Sequence, residues 1–253
     1  MRGIYVLPNL FTAANLAFGF SAIALLTVDE PANLEMAAWL VLFANVFDAM
    51  DGRVARWMKV SSQFGEEFDS LADLVSFGVA PACLILKLAL RSYGTAGFLV
   101  AMLFCICGAL RLARFNVIAR SPKPPTYFFV GCPIPAAATF LCACALTDLN
   151  NAMALPDGFY LAMTLLTSGL MVSTLPYPSM KKSEGGARRL YVKAAFLGIV
   201  LVALFTYKQD FIFVVAALYL LSGIVWKAVR DLGRFSGFLQ SRRRDAAVGQ
   251  PGH

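Results

Sequence analysis

Residues 48–73 read DAMDGRVARWMKVSSQFGEEFDSLAD, and they contain four aspartates in two pairs, Asp48 with Asp51 and Asp69 with Asp73. Residues three or four apart lie on the same face of an α-helix, so each pair predicts two carboxylates on one helical face. If the two helices face each other, four carboxylates meet, and their mutual repulsion favours a bound cation. Hard divalent ions prefer carboxylate oxygens, which indicates a magnesium or manganese site.

The composition around this segment is that of a membrane protein. Of the 253 residues, 59% are hydrophobic and 15% are charged, and the mean hydropathy is +0.68. Soluble domains of this size are seldom so apolar. We therefore expect an all-α, polytopic helical bundle, with a membrane domain over residues 1–231 and a basic, disordered cytoplasmic tail over residues 232–253.

Eight transmembrane helices are predicted from apolar runs of about 20 residues, the length that crosses a hydrocarbon core ~30 Å thick. They cover approximately residues 7–27, 35–59, 67–90, 93–113, 131–147, 158–175, 190–206 and 211–229. Nineteen of the 22 lysines and arginines then fall on one side, which is also the side of both termini. Since cytoplasmic loops carry the excess of basic residues, that side is predicted to be cytoplasmic. This distribution argues against a nucleic-acid partner, despite a net charge of +7.

Both aspartate pairs are predicted to lie near the cytoplasmic ends of their helices. At a rise of 1.5 Å per residue, Asp48 lies about 20 Å beyond Glu35, and Asp73 about 26 Å before Leu90. The two pairs therefore fall on the same side, joined by a basic turn predicted over residues 53–65. The site should face the cytoplasm, below the level of the headgroups.

Two classes of function fit intramembrane carboxylates. Ion-coupled transporters use them, but transport sites generally lie near the midplane, commonly on broken helices. Phosphate chemistry is favoured here, because Arg53 and Arg56 can offset phosphate charge. The small residues Gly52 and Ala55 leave room for a bulky ligand. The only histidine is His253, so histidine catalysis is excluded within the membrane domain. The six cysteines lack the spacing of a zinc site and are predicted to be packing residues.

The pattern D-x2-D-G-x2-A-R-x8-G-x3-D-x3-D is met completely from Asp48 to Asp73. It resembles the CDP-alcohol phosphatidyltransferases, integral membrane enzymes of phospholipid synthesis. The stretches SLADLVSFGVAPA, RLARFN, GCPIPAAA and STLPYPS are similar to the phosphatidylserine synthase branch of that family. The similarity runs from about Pro8 to Ser179. Cys132 and Pro176 depart from this branch, where leucine and a basic residue are expected.

The resemblance implies a reaction and a set of site residues. CDP-diacylglycerol would give its phosphatidyl group to the hydroxyl of L-serine, in a membrane enzyme that is commonly a homodimer. Glycerol 3-phosphate or an inositol phosphate is the alternative acceptor. Two divalent ions, Mg²⁺ or Mn²⁺, would be held by Asp48, Asp51, Asp69 and Asp73, with Asp73 also the general base. The CDP-diacylglycerol contacts would be Asn9, Thr12, Asn15, Gly52, Ala55, Arg56 and Gly65.

Asn9, Thr12 and Asn15 also form a polar face along the first helix, which fits either contacts between helices or contacts with a polar ligand.

The acceptor site is predicted from the charges of serine, whose carboxylate needs cationic or N–H donors. The candidates are Arg111, Arg114 and Asn116, with Ser173, Thr174, Tyr177 and Ser179 behind them. The two arginines are predicted to lie in a basic loop after the fourth helix. Ordinary anchoring at the cytoplasmic membrane surface is the alternative role for them.

Overall fold

The computed structural model describes residues 6–58, 62–120, 128–151, 155–178 and 210–227. Seven helices lie in these ranges, and we label them in chain order. They are α1 (Val6–Leu26), α2 (Pro31–Met58), α3 (Gln63–Leu88), α4 (Thr95–Ala119), α5 (Ile134–Asn151), α6 (Asp157–Val172) and α7 (Asp210–Lys227). A short 3₁₀ turn, Leu90–Tyr93, joins α3 to α4.

The all-α prediction is confirmed for the described residues, apart from one short ladder. Strands β1 (Phe128–Val130) and β2 (Pro176–Pro178) pair antiparallel, with Phe129 opposite Tyr177. Helices α1, α3, α4 and α7 are long and apolar enough to cross a membrane, whereas α5 and α6 are shorter apolar helices. The predicted seventh helix, residues 190–206, and the predicted tail lie outside the described residues.

The second helix, predicted to end near Lys59, ends at Met58, so α2 extends beyond Asp51 by about two turns and the connection predicted over residues 53–65 is shorter than expected. Two other predicted boundaries are wrong. The basic loop predicted from Arg111 is helical as far as Ala119, because nothing in RLARFNVIA breaks a helix. The fifth helix continues past Asp148, whose carboxylate accepts hydrogen bonds from the Leu155 N–H and the Tyr160 hydroxyl.

Helix α3 begins at a side-chain cap and changes its winding next to the second aspartate pair. The Ser62 hydroxyl accepts the Gly65 N–H at 3.0 Å, which satisfies one of the free donors of the first turn. Residues Leu74–Val79, directly after Asp73, form a π-helical segment. Such segments widen one turn of a helix and occur frequently at functional sites.

Helices α1 and α3 pack at very short range. A Cβ atom on Gly19 would lie 2.7 Å from the Cα atom of Ser76, so only glycine allows this approach. The Ser76 hydroxyl donates to the Asn15 carbonyl at 2.9 Å. Small residues that let backbones approach, with polar side chains bonding across them, are the usual means of packing helices in a membrane.

The core is built mainly from small side chains. Ala38 and Ala44 of α2 and Ala137 and Ala138 of α5 are almost fully buried. The Asn45 amide donates to the Thr139 hydroxyl at 2.7 Å, which joins α2 to α5. All six cysteines are free, and four of them are buried, so their predicted role as packing residues is confirmed.

Candidate active site

Three of the four predicted aspartates form one group. Asp48 and Asp51 come from α2 and Asp69 from α3, and each offers a carboxylate oxygen within 4.8 Å of the other two. Asp51 is only 6% exposed. The helical faces predicted from the i,i+3 and i,i+4 spacings therefore do meet. We call Asp48, Asp51 and Asp69 the carboxylate group.

Asp73 lies next to the carboxylate group but is not part of it. It follows Asp69 by one turn of α3 and is 8% exposed. It interacts electrostatically with both Asp48 and Asp69. Its Oδ1 accepts a hydrogen bond from Nδ2 of Asn15 at 3.1 Å. Asp73 is thus held in a fixed orientation by α1, one turn away from the group.

The polar face of α1 contacts the aspartates directly. The Thr12 hydroxyl donates to Oδ2 of Asp51 at 3.0 Å, and Asn15 bonds Asp73 in the same way. Asn9 lies further toward the N-terminus, and a Cβ atom on Gly65 would come within 3.2 Å of its Oδ1. The spacing of three residues therefore places one side chain of α1 against α2 and two against α3. Thr12 and Asn15 thus orient the carboxylates of Asp51 and Asp73.

The residues at this site fit a divalent cation. All the donor atoms of the carboxylate group are hard oxygens. Oδ1 of Asp69 is buried and has no hydrogen-bond partner among the described residues, and the same holds for Oδ1 of Asn15. Burying unpartnered polar oxygens beside other carboxylates is costly. A cation would satisfy these oxygens and offset the repulsion between the charges.

A cavity of about 290 Å³ opens beside Asp69 and Asp73, between α3 and α4. Its lining consists of Glu66, Asp69, Ser70, Asp73, Arg111, Leu112, Phe115, Asn116, Ala119 and Arg120. Arg111 is 7% exposed, and its guanidinium lies 5.3 Å from the centre of the Phe115 ring. Arg111 interacts electrostatically with Asp73, which lines the same cavity. The cavity therefore has a buried cation on one side and two of the four aspartates on the other.

The cavity also contains residues that the sequence reasoning missed. Ser70 accepts a hydrogen bond from the Asn116 amide at 2.9 Å, and Arg120 forms an ion pair with Glu67. Glu66 lies on the edge. Helical spacing could have identified Glu66 as a site residue. It precedes Asp69 by three residues and Asp73 by seven, and it therefore lies on the same helical face.

Arg114 does not line this cavity, although it is predicted to bind the acceptor. Its guanidinium donates to the carbonyls of Val130, Met171, Val172 and Ser173 at 2.8–3.1 Å. These four backbone carbonyls occupy the donors of the guanidinium, and the hydrogen bonds join α4 to the ends of α6 and β1. A Cβ atom on Gly131, whose φ is +85°, would lie 2.4 Å from Nη2 of Arg114, so this anchor needs glycine there. Arg114 is a structural residue in this fold.

Three further predicted acceptor residues, Ser173, Thr174 and Tyr177, also lie outside the cavity lining. Tyr177 is fully buried and donates to the Leu220 carbonyl at 3.2 Å. The Ser173 hydroxyl donates to the Leu170 carbonyl at 2.7 Å, and Thr174 is exposed. Ser179 falls outside the described residues. Of the predicted acceptor residues that the structure describes, only Arg111 and Asn116 line the cavity.

The predicted CDP contacts on α2 are described only in part. Gly52 follows Asp51 and is half-buried, whereas the side chains of Ala55 and Arg56 lie outside the described part of the structure. Their backbone belongs to α2 and lies about one turn beyond Asp51.

The fold and the site define the class of protein, which is a helical membrane bundle with an intramembrane acidic site. Clustered carboxylates form this site, beside a cavity lined by a buried arginine. The sequence model of the CDP-alcohol phosphatidyltransferases matches residues 5–175. The chain belongs to this family and is therefore an enzyme, a transferase of phospholipid synthesis.

Relatives of known activity cover most of the chain. It is 38% identical over 226 residues to the CDP-diacylglycerol–serine O-phosphatidyltransferase of Helicobacter pylori, which covers 88% of this chain and 91% of the relative. The enzyme of the same name from Bacillus subtilis is 37% identical over 176 residues, 70% of this chain and 92% of the relative. The archaetidylserine synthase of Methanothermobacter thermautotrophicus is 38% identical over 179 residues, 68% and 69% of the two chains.

Proposed function

We propose that this enzyme transfers the phosphatidyl group of CDP-diacylglycerol to the hydroxyl of L-serine, giving phosphatidylserine and CMP. The observation that carries the proposal is the cavity that Arg111 and Asn116 line together with the buried Asp73. A small acceptor with a carboxylate and a hydroxyl fits this arrangement of charges. The names of the relatives from H. pylori and B. subtilis support serine as that acceptor.

Asp73 is the proposed general base. It lines the cavity, it lies outside the carboxylate group, and Asn15 fixes its orientation. The serine hydroxyl gives its proton to Asp73 while its oxygen attacks the phosphorus that carries diacylglycerol. A new P–O bond forms to serine, the phosphoanhydride bond to CMP breaks, and CMP leaves with the electron pair.

Two divalent ions, Mg²⁺ or Mn²⁺, are the proposed cofactors. Asp48, Asp51, Asp69 and Asp73 would hold them, and the unpartnered Oδ1 of Asp69 supports this assignment. When bound, such ions supply positive charge that stabilises both the entering and the leaving oxygen of a phosphoryl transfer.

The CDP-diacylglycerol site is proposed at the ends of α1, α2 and α3. A Cβ atom on Gly65 would lie 3.1 Å from the Ser62 hydroxyl oxygen and 3.2 Å from Oδ1 of Asn9, so glycine allows the start of α3 to lie close to α1. This close approach brings two of the proposed contacts, Asn9 and Gly65, together and supports the placement. Gly52, Ala55 and Arg56 would continue the site along α2. Thr12 and Asn15 would act by holding the aspartates, because their hydrogen bonds are made to Asp51 and Asp73.

Serine recognition is proposed to depend on two opposite charges. The guanidinium of Arg111 would bind the substrate carboxylate, as buried arginines commonly do. Glu66, on the edge of the cavity, offers a carboxylate to the substrate ammonium. Glycerol 3-phosphate and inositol phosphate carry no ammonium group, and both add negative charge near Glu66.

The arrangement in the membrane is also part of the proposal. Eight spans with both termini in the cytoplasm would place the site on the cytoplasmic side, as the distribution of lysine and arginine indicates. In a bacterium this would be the inner membrane. A homodimer is proposed from the resemblance to the family alone.

Release of CMP by the purified protein tests the function. CDP-diacylglycerol and Mg²⁺ or Mn²⁺ are supplied, and serine, glycerol 3-phosphate and inositol phosphate are added one at a time. We expect release with serine only. Release with another acceptor would reject serine but keep the aspartate site. No release from folded protein with any acceptor would reject the transfer and favour an ion-coupled transporter.

A further inference from the structure

A second cavity lies at the other end of α1, about 20 Å from Thr12 along the helix. Its volume is about 500 Å³, and it opens between the end of α1, the end of α3 and the start of α4. Ile23, Leu86 and Phe98 form part of an apolar wall, and Lys87 and Arg91 lie at its polar end. None of these residues takes part in the proposed transfer reaction.

The charge of Lys87 is already satisfied by its surroundings. Its Nζ lies 2.9 Å from the carboxylate of Asp29 and donates to the Leu26 carbonyl at 2.8 Å and to the Val28 carbonyl. The side chain is only 15% exposed. Lys87 therefore closes the end of α1 and pairs with the one acidic residue of the cavity lining.

Arg91 carries the remaining positive charge of the cavity lining. It is exposed, and its side chain makes no hydrogen bond within the described ranges, although it interacts electrostatically with Asp29. Helix α4 begins at Thr95, and its N-cap residue, Gly94, provides no side-chain cap. Free N–H groups and the positive end of the helix dipole add to the attraction for an anion there.

We propose that this cavity binds an anionic phospholipid of the leaflet opposite the active site. The phosphate would lie against Arg91 at the membrane surface, and an acyl chain would follow Ile23, Leu86 and Phe98 into the bilayer. A soluble anion would interact with the positive charge of Arg91 but would leave the apolar wall of the cavity without an apolar partner. Cationic side chains at the ends of membrane helices lie at the level of the lipid headgroups. The inference does not depend on the acceptor of the enzyme.

Lipid titration of the purified full chain by native mass spectrometry tests the site. Phosphatidylglycerol is the anionic probe and phosphatidylcholine the neutral one. We expect wild type to prefer phosphatidylglycerol and Arg91→Gln to bind it about fivefold or more weakly, as loss of one cation at a membrane surface predicts. Lys227→Gln, which removes another exposed cation at a helix end, should change the affinity much less.

A second variant tests the apolar wall. Ile23→Trp should fill part of the cavity and weaken phosphatidylglycerol binding although Arg91 is intact. Thermal unfolding shows whether each variant is folded. Equal affinity in wild type and Arg91→Gln would overturn the site, as would equal losses in Arg91→Gln and Lys227→Gln. Displacement of the lipid by inorganic phosphate, but not by chloride of matched ionic strength, would replace the lipid with a soluble anion.

Discussion

Nδ2 of Asn15 lies 3.1 Å from Oδ1 of Asp73, and this hydrogen bond joins α1 to the helix that carries the second aspartate pair. Both residues are buried, Asn15 completely. A carboxylate that acts as a base must present one oxygen to the substrate, so its other oxygen needs a fixed partner. Asn15 supplies that partner from a different helix.

Replacing Asn15 with alanine should therefore impair the reaction more than the fold. We expect kcat for CMP release to fall at least about tenfold, because Asp73 loses the donor that orients it. KM for serine should change much less. Asn150→Ala is the matched control, since Asn150 bonds only the Leu146 carbonyl of its own helix in the described structure. Similar kcat values in both variants would contradict the orienting role.

The Thr12 hydroxyl should tune the affinity for the metal. Thr12→Val keeps the shape of the side chain but removes the donor to Asp51. Loss of a residue that orients a ligand commonly costs 10–100-fold in metal affinity, so we expect about tenfold more Mg²⁺ or Mn²⁺ to be needed for half-maximal activity. Thr12→Ser should restore most of the loss. An unchanged metal requirement in Thr12→Val would show that this bond does not support a metal ligand.

Neutralising the aspartates should abolish activity without unfolding the protein. Asp69→Asn and Asp73→Asn should each lower CMP release at least about 100-fold, since one removes a proposed ligand and the other the proposed base. Without added metal, Asp69→Asn should unfold at the same temperature as wild type or higher, because it removes one charge from a group of like charges. Substantial activity in either variant would reject the proposed site.

These expectations show how far the sequence could predict the site. The aspartate faces depend on helical periodicity alone, which is local, and the two faces meet, with three of the four aspartates in one group and Asp73 one turn away. Arg111 and Arg114 lie three residues apart, and no local rule separates them. Their surroundings differ because Arg111 lines the same cavity as Asp73, while Arg114 reaches the C-terminal end of α6. Only the packing of α4 against α6 determines that difference.

Arg111 and Arg114 should consequently give opposite phenotypes. Arg111→Gln should raise KM for serine at least about tenfold, the loss expected for a charge-assisted hydrogen bond, while KM for CDP-diacylglycerol changes little. Arg114→Gln should lower the free energy of unfolding by about 1–3 kcal/mol, because four backbone carbonyls lose a charged donor. Thermal unfolding and serine kinetics distinguish the two. A raised serine KM in folded Arg114→Gln would return that residue to the acceptor site.

The close packing of α1 against α3 should be needed for activity. Alanine at Gly19 would place a Cβ atom 2.7 Å from the Cα atom of Ser76, so α1 must move away from α3. Because Asn15 lies one turn earlier on α1, its bond to Asp73 should lengthen. We expect lower thermal stability and lower kcat. Gly169→Ala is the control, since a Cβ atom there meets nothing within 4 Å. Wild-type activity in Gly19→Ala would contradict this coupling.

The most direct test of the central claim follows the oxygen of the serine hydroxyl. Purified enzyme with CDP-diacylglycerol and a divalent metal is given serine labelled with ¹⁸O in its side chain, and both products are weighed by mass spectrometry. Direct attack by serine on the lipid phosphorus predicts that phosphatidylserine keeps the label and that CMP contains none. Label in CMP, or no labelled phosphatidylserine from folded protein, would contradict the proposed transfer.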